Sequence, residues 1–437
     1  MGKYFGTDGI RGKAYEQLTF ELAFNLGKSL LVLHRRQLVI ACDTRESSSM
    51  LVDAVKQGAK ISGIDVLDLG VQPTPKLSYI SRKQQAIGVM VTASHNPYHD
   101  NGIKVFDAGE KLFEERELAI ESAMDGNTTL EKPIRVGKDL PAIADEALYH
   151  SLFSPFLQKT PFRIGIDLAN GATVATAEKL FSEVAKELVV LSNHPDGKNI
   201  NVACGSTHPE ALIHTVLSHQ LDLGFAFDGD GDRVICIGKD GRLYDGDMMI
   251  YAIARTMKEQ GHLKNSLVIL TKMSNLGIIK AFKKHRIEVT QTQVGDKYVL
   301  EEMLKSDAVI GGEASGHIIN RALLDTGDGV LNAIYLTHLL ALSNTTLEEI
   351  TKDVSIYPDK LVNLRGVDKT LAKHPLILEL VAQIEQELGS DGYVLVRPSG
   401  TEPLLRISAS AKTKEQVEDI IARIVETIES LSQGVKR

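Results

Sequence analysis

Short apolar runs alternate along the chain with longer stretches in which apolar residues recur every three or four positions. Runs of strand length occupy 38–41, 66–69 and 86–91, and the periodic stretches include 47–62 and 76–82. Such alternation is typical of βαβ units, in which helices connect the strands of a sheet. The rhythm continues further along the chain, with strands expected at 163–167, 187–191, 223–227, 267–270, 287–290 and 308–310. The pattern therefore predicts three consecutive α/β units.

The pattern changes near residue 356. Strands are expected at 360–364, 393–396 and 404–408, and helices at 375–388 and 413–431. Apolar residues line one face of the last helix, which indicates that this face packs into a core; they are Val417, Ile420, Ile421, Ile424, Ile428 and Leu431. This segment is expected to be a small α+β domain. Because 437 residues are too many for one core, we expect domains at 1–158, 159–250, 251–355 and 356–437.

Composition narrows the class of protein. A hydrophobic content of 43% and a charged content of 24% are ordinary for a globular protein. The sequence has no run that could span a bilayer, no signal-peptide core and no myristoylation pattern, so we expect a cytoplasmic protein without a membrane partner. Three isolated cysteines, Cys42, Cys204 and Cys236, argue against a disulfide framework. A net charge of -8 disfavours nucleic acid, but a few local cations would suffice to bind a phosphorylated substrate.

Residues 91–104, Val-Thr-Ala-Ser-His-Asn-Pro-Tyr-His-Asp-Asn-Gly-Ile-Lys, follow one of the predicted strands. Asn-Pro and Asp-Asn-Gly are turn signals, so we expect the strand to end and a loop to follow. Ser94 then stands where a sheet passes into a loop, which is where open α/β sheets place their chemistry. Its hydroxyl is either a nucleophile or a group that bonds to its own backbone.

A serine hydrolase is the first alternative for Ser94. In an extended chain neighbouring side chains diverge, so His95 is not expected to reach the Ser94 hydroxyl as a general base. The Gly-x-Ser-x-Gly elbow of many hydrolases is also absent. A serine that carries a phosphoryl group is compatible with the pattern, provided that the chain also supplies a metal ion and cations.

An acidic loop follows the strand predicted at 223–227. Asp228, Asp230 and Asp232 alternate with glycines, and glycine permits the backbone angles that let such carboxylates converge on one cation. An EF-hand does not fit, because Arg233 and Lys239 stand where that loop requires glycine and glutamate. Three carboxylates leave the shell incomplete, which suits magnesium completed by phosphate oxygen or water. The alternative is an acidic turn.

Two further glycine-rich loops carry candidate binding groups. Phe5-Gly-Thr-Asp-Gly-Ile-Arg-Gly places Arg11 on a loop where it can be aimed at an anion, unless the segment is a flexible terminus. In Gly311-Gly-Glu-Ala-Ser-Gly-His, the side chains of Glu313, Ser315 and His317 can face one side of an exposed loop and grip sugar hydroxyls, unless it is only a polar turn. Asp43-Thr-Arg45 is expected mainly to cap a helix.

A last loop, Arg397-Pro-Ser-Gly-Thr-Glu-Pro, lies between two strands of the α+β domain. The guanidinium of Arg397, the hydroxyls of Ser399 and Thr401 and the amide of Gly400 would make a compact phosphate-binding loop. A plain hairpin turn would need neither the arginine nor both hydroxyls.

In this order the four loops resemble those of the α-D-phosphohexomutase superfamily, and the resemblance covers essentially the whole chain. The matching motifs are Thr92-Ala-Ser-His-Asn-Pro, Asp228-Gly-Asp-Gly-Asp-Arg, Gly312-Glu-Ala-Ser-Gly-His and Arg397-Pro-Ser-Gly-Thr-Glu-Pro. Within the superfamily the sequence looks most like the bacterial branch that acts on glucosamine phosphates; the motifs that indicate this are 5–12, 196–201, 204–207, 294–299 and 326–329. Two positions depart from that branch: Lys297 replaces an arginine, and Ala314 replaces a frequent glutamine.

The resemblance implies three α/β mixed-sheet domains and a C-terminal α+β domain of the TATA-binding-protein-like class around a central cleft. It implies that phospho-Ser94 gives its phosphoryl group to the sugar, that a hexosamine 1,6-bisphosphate intermediate turns around, and that Mg²⁺ is held by Ser94, Asp228, Asp230 and Asp232. Arg11, Lys104 and His317 would assist the transfer. Substrate-binding roles would fall to His95, Arg233, Glu313, Ser315, Arg397, Ser399, Gly400 and Thr401. The last domain would hinge near 355–359.

The resemblance also implies a place in amino-sugar nucleotide and cell-wall precursor synthesis. Three alternatives stay open: a mutase for glucose or mannose phosphates, a non-catalytic phosphosugar sensor, and a phosphatase in which water takes the phosphoryl group. The sequence does not decide between a monomer and a homodimer, and it leaves the proton carrier open between Lys104 and His317.

Overall fold

The structure is a computed structural model that describes residues 2–6, 8–141, 145–398 and 404–434. The chain divides into two compact units. The first comprises residues 1–273 and 286–352, and the second comprises residues 274–285 and 353–437. The division into four domains with the predicted boundaries stays a prediction.

The first sheet of the first unit has seven strands: β1 (Ile10–Lys13), β2 (Gln37–Cys42), β3 (Asp65–Val71), β4 (Ile87–Val91), β5 (Asp100–Asp107), β6 (Glu110–Lys111) and β7 (Asp139–Leu140). Their order is β1-β5-β4-β2-β3-β7, with β6 beside β5. The helices of this part are α1 (Phe20–Ser29), α2 (Ser48–Ile61), α3 (Thr74–Lys83), α4 (Glu114–Met124) and α5 (Asp145–Phe153). β2 runs parallel to β3 and β4, whereas β5 is antiparallel to β1 and β4, so the sheet is mixed.

The second sheet consists of β8 (Arg163–Asp167), β9 (Glu187–Leu191), β10 (Leu223–Phe227), β11 (Val234–Gly238) and β12 (Leu243–Tyr244). Its order is β12-β11-β10-β8-β9, and helices α6 (Ala177–Val184) and α7 (Glu210–Ser218) accompany it. The central strand β10 is buried along its whole length and is parallel to β8 but antiparallel to β11. The turn between β10 and β11 is the acidic loop.

The third sheet has the order β14-β13-β15-β16. Its strands and the helices of this region are α8 (Gly246–Glu259), β13 (Leu267–Thr271), α9 (Leu276–Lys284), β14 (Glu288–Thr292), α10 (Asp296–Ser306), β15 (Ile310–Gly312), β16 (Ile318–Asn320), α11 (Gly329–Leu342) and α12 (Leu347–Thr351). Of these elements α9 belongs to the second unit.

The second unit also contains β17 (Asp359–Arg365), α13 (Pro375–Leu388), β18 (Tyr393–Pro398), β19 (Leu404–Ser410) and α14 (Lys414–Gly434). Its three strands are antiparallel in the order β17-β19-β18. The predicted apolar face of the last helix is confirmed, because Val417, Ile420, Ile421, Ile424 and Ile428 are buried and Leu431 packs against them. The fold class is likewise confirmed: the sheets are mixed in the first unit, and an α+β unit follows.

The strands of the first sheet that were not expected are β1 and β5, besides the two-residue strands β6 and β7. The loop prediction for residues 91–104 is wrong beyond Asp100, where β5 begins, and the loop prediction for residues 5–12 is wrong from Ile10, where β1 begins. Strands β1 and β5 pair with each other, with Arg11 opposite Gly102. The Asn-Gly pair does not form a turn here but lies in β5. The Asn101 side chain is buried and donates to the hydroxyls of Ser47 and Ser48 at 2.9 and 3.1 Å.

Among the described residues, no helix combines the length and the apolar character that crossing a membrane requires.

Candidate active site

Ser94 lies in the turn that follows β4, and its backbone is left-handed (φ +53°). The Ser94 amide donates to the Thr92 hydroxyl at 2.9 Å, and the Thr92 hydroxyl donates to Asp43 at 2.7 Å. The Ser94 hydroxyl donates to Asp228 Oδ2 at 2.6 Å, although the two residues are 134 positions apart. The turn therefore presents one buried hydroxyl to the acidic loop.

The acidic loop brings its three carboxylates together. Oxygen atoms of Asp228, Asp230 and Asp232 all lie within 4.8 Å of one another, and the three residues are buried. The Oδ1 atoms of Asp230 and Asp232 have no hydrogen-bond partner among the described residues. Because buried carboxylate oxygens without a hydrogen bond are unfavourable and hard oxygen ligands suit Mg²⁺, the trio fits a divalent cation.

The pKa values of two carboxyl groups of the trio are shifted in opposite directions. Burial, together with the charges of Asp230 and Asp232, raises the pKa of Asp228 well above its usual value. Burial acts in the same direction on Asp232, but Lys104 and His317 outweigh it and lower the pKa of this carboxyl well below its usual value. Like charges this close repel one another, and a bound cation would relieve the repulsion.

Lys104, on β5, is a buried cation beside the trio. Its Nζ lies 2.8 Å from Asp230 Oδ2, 3.0 Å from Asp232 Oδ2 and 3.3 Å from Asp8 Oδ2. Burial lowers the pKa of Lys104, but the three carboxylates outweigh burial and raise it well above the usual value. The ammonium group is therefore held in its charged form.

Asp8 connects Lys104 to two further cations. Arg11 Nη2 lies 2.5 Å from Asp8 Oδ2, and Lys111 Nζ lies 3.1 Å from Asp8 Oδ1. Burial would raise the pKa of Asp8, but Lys104, Lys111 and Arg11 lower it far below the usual range. Arg11 is thus fixed on a strand near the trio, and the flexible-terminus alternative for this residue is wrong.

His317 is buried between two carboxylates. Its Nδ1 lies 3.7 Å from Asp232 Oδ1, and its Nε2 lies 3.3 Å from Asp296 Oδ2. Burial lowers the pKa of His317, but Asp296 and Asp232 outweigh burial and raise it. In the same loop Glu313 is half-buried, and its Oε1 accepts the Gly295 amide at 3.0 Å. Ser315 is exposed.

His95 contradicts the expectation that its side chain diverges from that of Ser94. The left-handed backbone at Ser94 brings the Ser94 hydroxyl within 3.3 Å of His95 Nδ1. Arg233 Nη1 also lies 3.2 Å from this nitrogen, and because a guanidinium can only donate, Nδ1 is the acceptor and the ring proton is on Nε2. Burial, followed by Arg233 and Arg11, lowers the pKa of His95 to about 4. The ring is therefore neutral at physiological pH.

The loop predicted to bind a second phosphate lies in the other unit. Arg397 is exposed on β18, whereas Ser399, Gly400 and Thr401 lie outside the described residues. The first unit thus brings together the predicted residues Ser94, His95, Lys104, Arg11, Asp228, Asp230, Asp232, Arg233 and His317, with Glu313 in the same loop as His317.

Several residues beside the site escaped the sequence reasoning, among them Asp8, Lys111, Arg45 and Asn201. The expectation that Asp43-Thr-Arg45 mainly caps a helix is wrong, because the N-cap of α2 is Ser47 and it makes no side-chain cap bond. The Arg45 guanidinium instead donates to the Ser94 carbonyl at 2.9 Å. Asn201 Nδ2 donates to the same carbonyl, also at 2.9 Å. In the sequence, Asp8 is recognisable only as the acidic residue of the motif that carries Arg11, and nothing there indicates its contact with Lys104.

Comparisons with known proteins show the family to which the chain belongs. Four family descriptions match in order: phosphoglucomutase/phosphomannomutase alpha/beta/alpha domain I over residues 2–131, domain II over 146–241, domain III over 245–357 and the C-terminal domain over 361–427. The phosphoglucosamine mutase of Limosilactobacillus reuteri is 44% identical over 97% of both chains. The phosphoglucosamine mutase of Bacillus subtilis is 43% identical over 98% of this chain and 99% of its own.

The chain belongs to the phosphoglucosamine mutase family of α-D-phosphohexomutases. As a member of this family it is an isomerase that transfers a phosphoryl group within one molecule.

Solved structures share the fold of this family. A phosphoglucomutase/phosphomannomutase family protein of Burkholderia thailandensis has a TM-score of 0.80 at 21% identity, covering 98% of this chain and 97% of its own. The N-acetylphosphoglucosamine mutase of Aspergillus fumigatus, solved in complex with GlcNAc-6P and magnesium, has a TM-score of 0.66 at 18% identity, covering 98% and 96%.

Proposed function

We propose that the chain interconverts glucosamine 6-phosphate and glucosamine 1-phosphate through a phosphorylated Ser94 and a glucosamine 1,6-bisphosphate. This activity would supply UDP-N-acetylglucosamine synthesis. One observation carries the proposal: the Ser94 hydroxyl lies 2.6 Å from the carboxylate of Asp228 inside a buried acidic trio. The curated relatives named phosphoglucosamine mutase support the choice of substrate.

The reaction would be two transfers of the same kind. A sugar hydroxyl attacks the phosphorus on Ser94, the bond from phosphorus to Ser94 Oγ breaks, and the proton of the attacking hydroxyl is passed on so that the released Ser94 oxygen regains a proton. The resulting bisphosphate turns around. The Ser94 hydroxyl then attacks the other phosphoryl group, whose bond to the sugar oxygen breaks, and phospho-Ser94 forms again. Phosphoryl transfer depends mainly on positioning and on neutralising charge. Lys104, which contacts Asp230 and Asp232, and Arg11, which pairs with Asp8, would supply positive charge beside the acidic trio. Lys104 and His317 stay the two candidates for moving the proton.

Asp228, Asp230, Asp232 and the phosphate on Ser94 would hold Mg²⁺, which neutralises the charge of the transferring group when bound. His95 and Arg233 lie beside Ser94 and would bind substrate phosphate or hydroxyls. Glu313 and Ser315 would read the sugar hydroxyls, with Glu313 accepting. Arg397, Ser399, Gly400 and Thr401 would hold the phosphate that is not reacting. The cytoplasmic location, the absence of a nucleic-acid partner and the choice between monomer and homodimer stay predictions.

Two measurements on the purified protein test the proposal. Mass spectrometry of the intact chain and of its peptides locates phosphate, which we expect on Ser94. Coupled assays then compare turnover of the 6-phosphates of glucosamine, glucose and mannose with Mg²⁺ present, and we expect glucosamine 6-phosphate to be preferred. A preference for the glucose compound would overturn the choice of substrate. Steady release of inorganic phosphate without isomerised sugar would reveal a phosphatase instead.

A further inference from the structure

Two side chains from distant parts of the first unit hold the backbone of the Ser94 turn. Arg45, between β2 and α2, has a fully buried side chain whose Nη2 donates to the carbonyls of Ser94 and Asn96, both at 2.9 Å. Its Nη1 donates to the carbonyl of Asp100 at 3.1 Å. Asn201, between β9 and α7, donates from Nδ2 to the same carbonyls of Ser94 and Asn96, at 2.9 and 3.2 Å.

The Ser94 carbonyl therefore accepts two side-chain hydrogen bonds. A carbonyl oxygen has two lone pairs, and Arg45 and Asn201 together use both. Gly229 of the acidic loop closes the remaining space, because a Cβ at that position would lie 2.4 Å from the Ser94 oxygen and 3.0 Å from Asn201 Nδ2. The left-handed conformation at Ser94 is disfavoured for a residue with a side chain, so the surrounding contacts must maintain it.

We propose that Arg45 and Asn201 are positioning residues for phosphoryl transfer. By fixing the Ser94 carbonyl they hold the left-handed turn, and this turn aims the hydroxyl at the acidic trio. Asn201 has a particular part in this arrangement, because it lies in the connection that follows β9 of the second sheet, and strand β10 of that sheet leads into the acidic loop. Asn201 thereby ties the serine turn to the part of the chain that carries the metal-binding loop. The inference rests on the proposed role of Ser94 as the phosphoryl carrier.

The variant that isolates this role is Asn201→Asp. Aspartate has nearly the same shape and also tolerates the left-handed backbone of this position (φ +59°), but its carboxylate cannot donate to the two carbonyls. We expect kcat to fall about 10- to 100-fold, since small misplacements of a reacting group have effects of this size. KM for glucosamine 6-phosphate should stay within about twofold, because no sugar-binding group has changed.

A matched control lies two residues earlier in the same loop. Asn199 Nδ2 donates to the His194 carbonyl at 2.9 Å, a bond that stays inside the loop. Asn199→Asp should therefore leave kcat close to wild type. Asn201→Gly serves as a second variant, because it removes the donor without burying a charge and permits a positive φ. It should also lower kcat with little change in KM, and circular dichroism should show that both variants are folded.

The outcomes separate this inference from the proposed function. If wild type carries phosphate on Ser94 and the folded Asn201 variants match Asn199→Asp in kcat, the positioning role is refuted while the proposed function stands. If the Asn201 variants raise KM and leave kcat unchanged, the positioning role is refuted as well. If wild type turns over without ever carrying phosphate on Ser94, the proposed function fails and the inference fails with it.

Discussion

Ser94 is held in a conformation that few residues with a side chain adopt. A left-handed backbone costs on the order of 1–2 kcal/mol for such a residue, and here the bonds from Arg45, Asn201 and Thr92 offset that cost. Backbone strain of this kind is often found at functional sites. The hydroxyl is consequently positioned before any substrate binds.

Replacing Ser94 by alanine should abolish turnover and leave the fold intact. The hydroxyl oxygen is the proposed attachment point of the phosphoryl group, whereas the backbone bonds of the turn do not depend on it. Loss of activity is measured in the coupled assay, and loss of phosphate by mass spectrometry. Ser192→Ala is a matched control, because it places alanine at another serine with φ +53°. Substantial mutase activity in Ser94→Ala would refute the phosphoserine mechanism.

The acidic trio should cost stability when no cation is bound. Asp228→Asn removes the carboxyl whose ionisation burial, Asp230 and Asp232 oppose, and keeps the shape that accepts the Arg233 amide at 3.1 Å. We expect the unfolding temperature measured in EDTA to rise, with a gain of about 1 kcal/mol. The Mg²⁺ concentration for half-maximal activity should increase by about tenfold or more. An unchanged Mg²⁺ requirement would show that Asp228 is not a metal ligand.

Helix α11 begins at a buried carboxylate. Asp328 is its N-cap and accepts the Leu331 amide at 2.9 Å, and the Tyr149 hydroxyl donates to the other oxygen at 2.7 Å. These bonds favour the charged form, but burial is the larger effect and raises the pKa of Asp328 from 3.8 to about 6. The folded state thus binds a proton more tightly than the unfolded chain does.

This shift predicts a pH-dependent contribution to stability. The contribution of Asp328 is fully present below pH 3.8 and is lost as the pH rises through about 6. This contribution to the free energy of unfolding is about 3 kcal/mol, because the pKa differs by about two units between the folded and unfolded states and each unit corresponds to about 1.36 kcal/mol. Wild type should therefore lose stability relative to Asp328→Asn as the pH rises from about 4 to about 6.5. The unfolding temperature of the variant minus that of wild type should increase over this range and then level off. Asparagine keeps the helix cap.

Tyr149→Phe is the control for this element. It removes the phenol bond but keeps the titrating carboxyl, so its stability should retain the dependence on pH. A flat difference between Asp328→Asn and wild type across the same range would show that Asp328 does not titrate in this window.

Elements with local signals could be predicted closely. Helix α13 begins and ends at the predicted residues, because Pro375 stands at its first position and Gly389 follows its last. Strands β8, β9 and β10 also match the prediction. β1 and β5 could not be found in this way, because they stabilise each other across the sequence and one of them contains an Asn-Gly pair.

At the site, spacing predicted the acidic trio, since its three carboxylates are neighbours in sequence. The residues that support Ser94 carried no such signal. Arg45 is 49 positions away from Ser94, and Asn201 is 107 positions away. The folded sheets bring these side chains to the turn, whereas a linear pattern shows only an arginine after a strand and an asparagine in a loop.

At the scale of the whole molecule, the chain passes between the two units at three places: 273/274, 285/286 and 352/353. Helix α9 was expected to belong to the third α/β domain, but it clusters with the C-terminal residues. The hinge expected at 355–359 stays a prediction. Its central residue, Tyr357, is bound within the second unit, because Asn275 donates to its carbonyl at 2.8 Å and accepts its amide at 3.0 Å.

Asn275 should therefore hold α9 to the segment around Tyr357. Besides these two bonds, its side chain caps α9 by accepting the Gly277 amide at 2.9 Å. In Asn275→Ala we expect faster amide hydrogen exchange in the first turn of α9 and at Tyr357, by about 10-fold or more, since losing a cap alone costs roughly 1 kcal/mol. Asn275→Asp keeps both acceptor bonds and loses only the donor, so its exchange should be intermediate. If the Tyr357 amide exchanges at the wild-type rate in the alanine variant, then Asn275 does not anchor this segment to α9. A hinge at 355–359 would then be favoured.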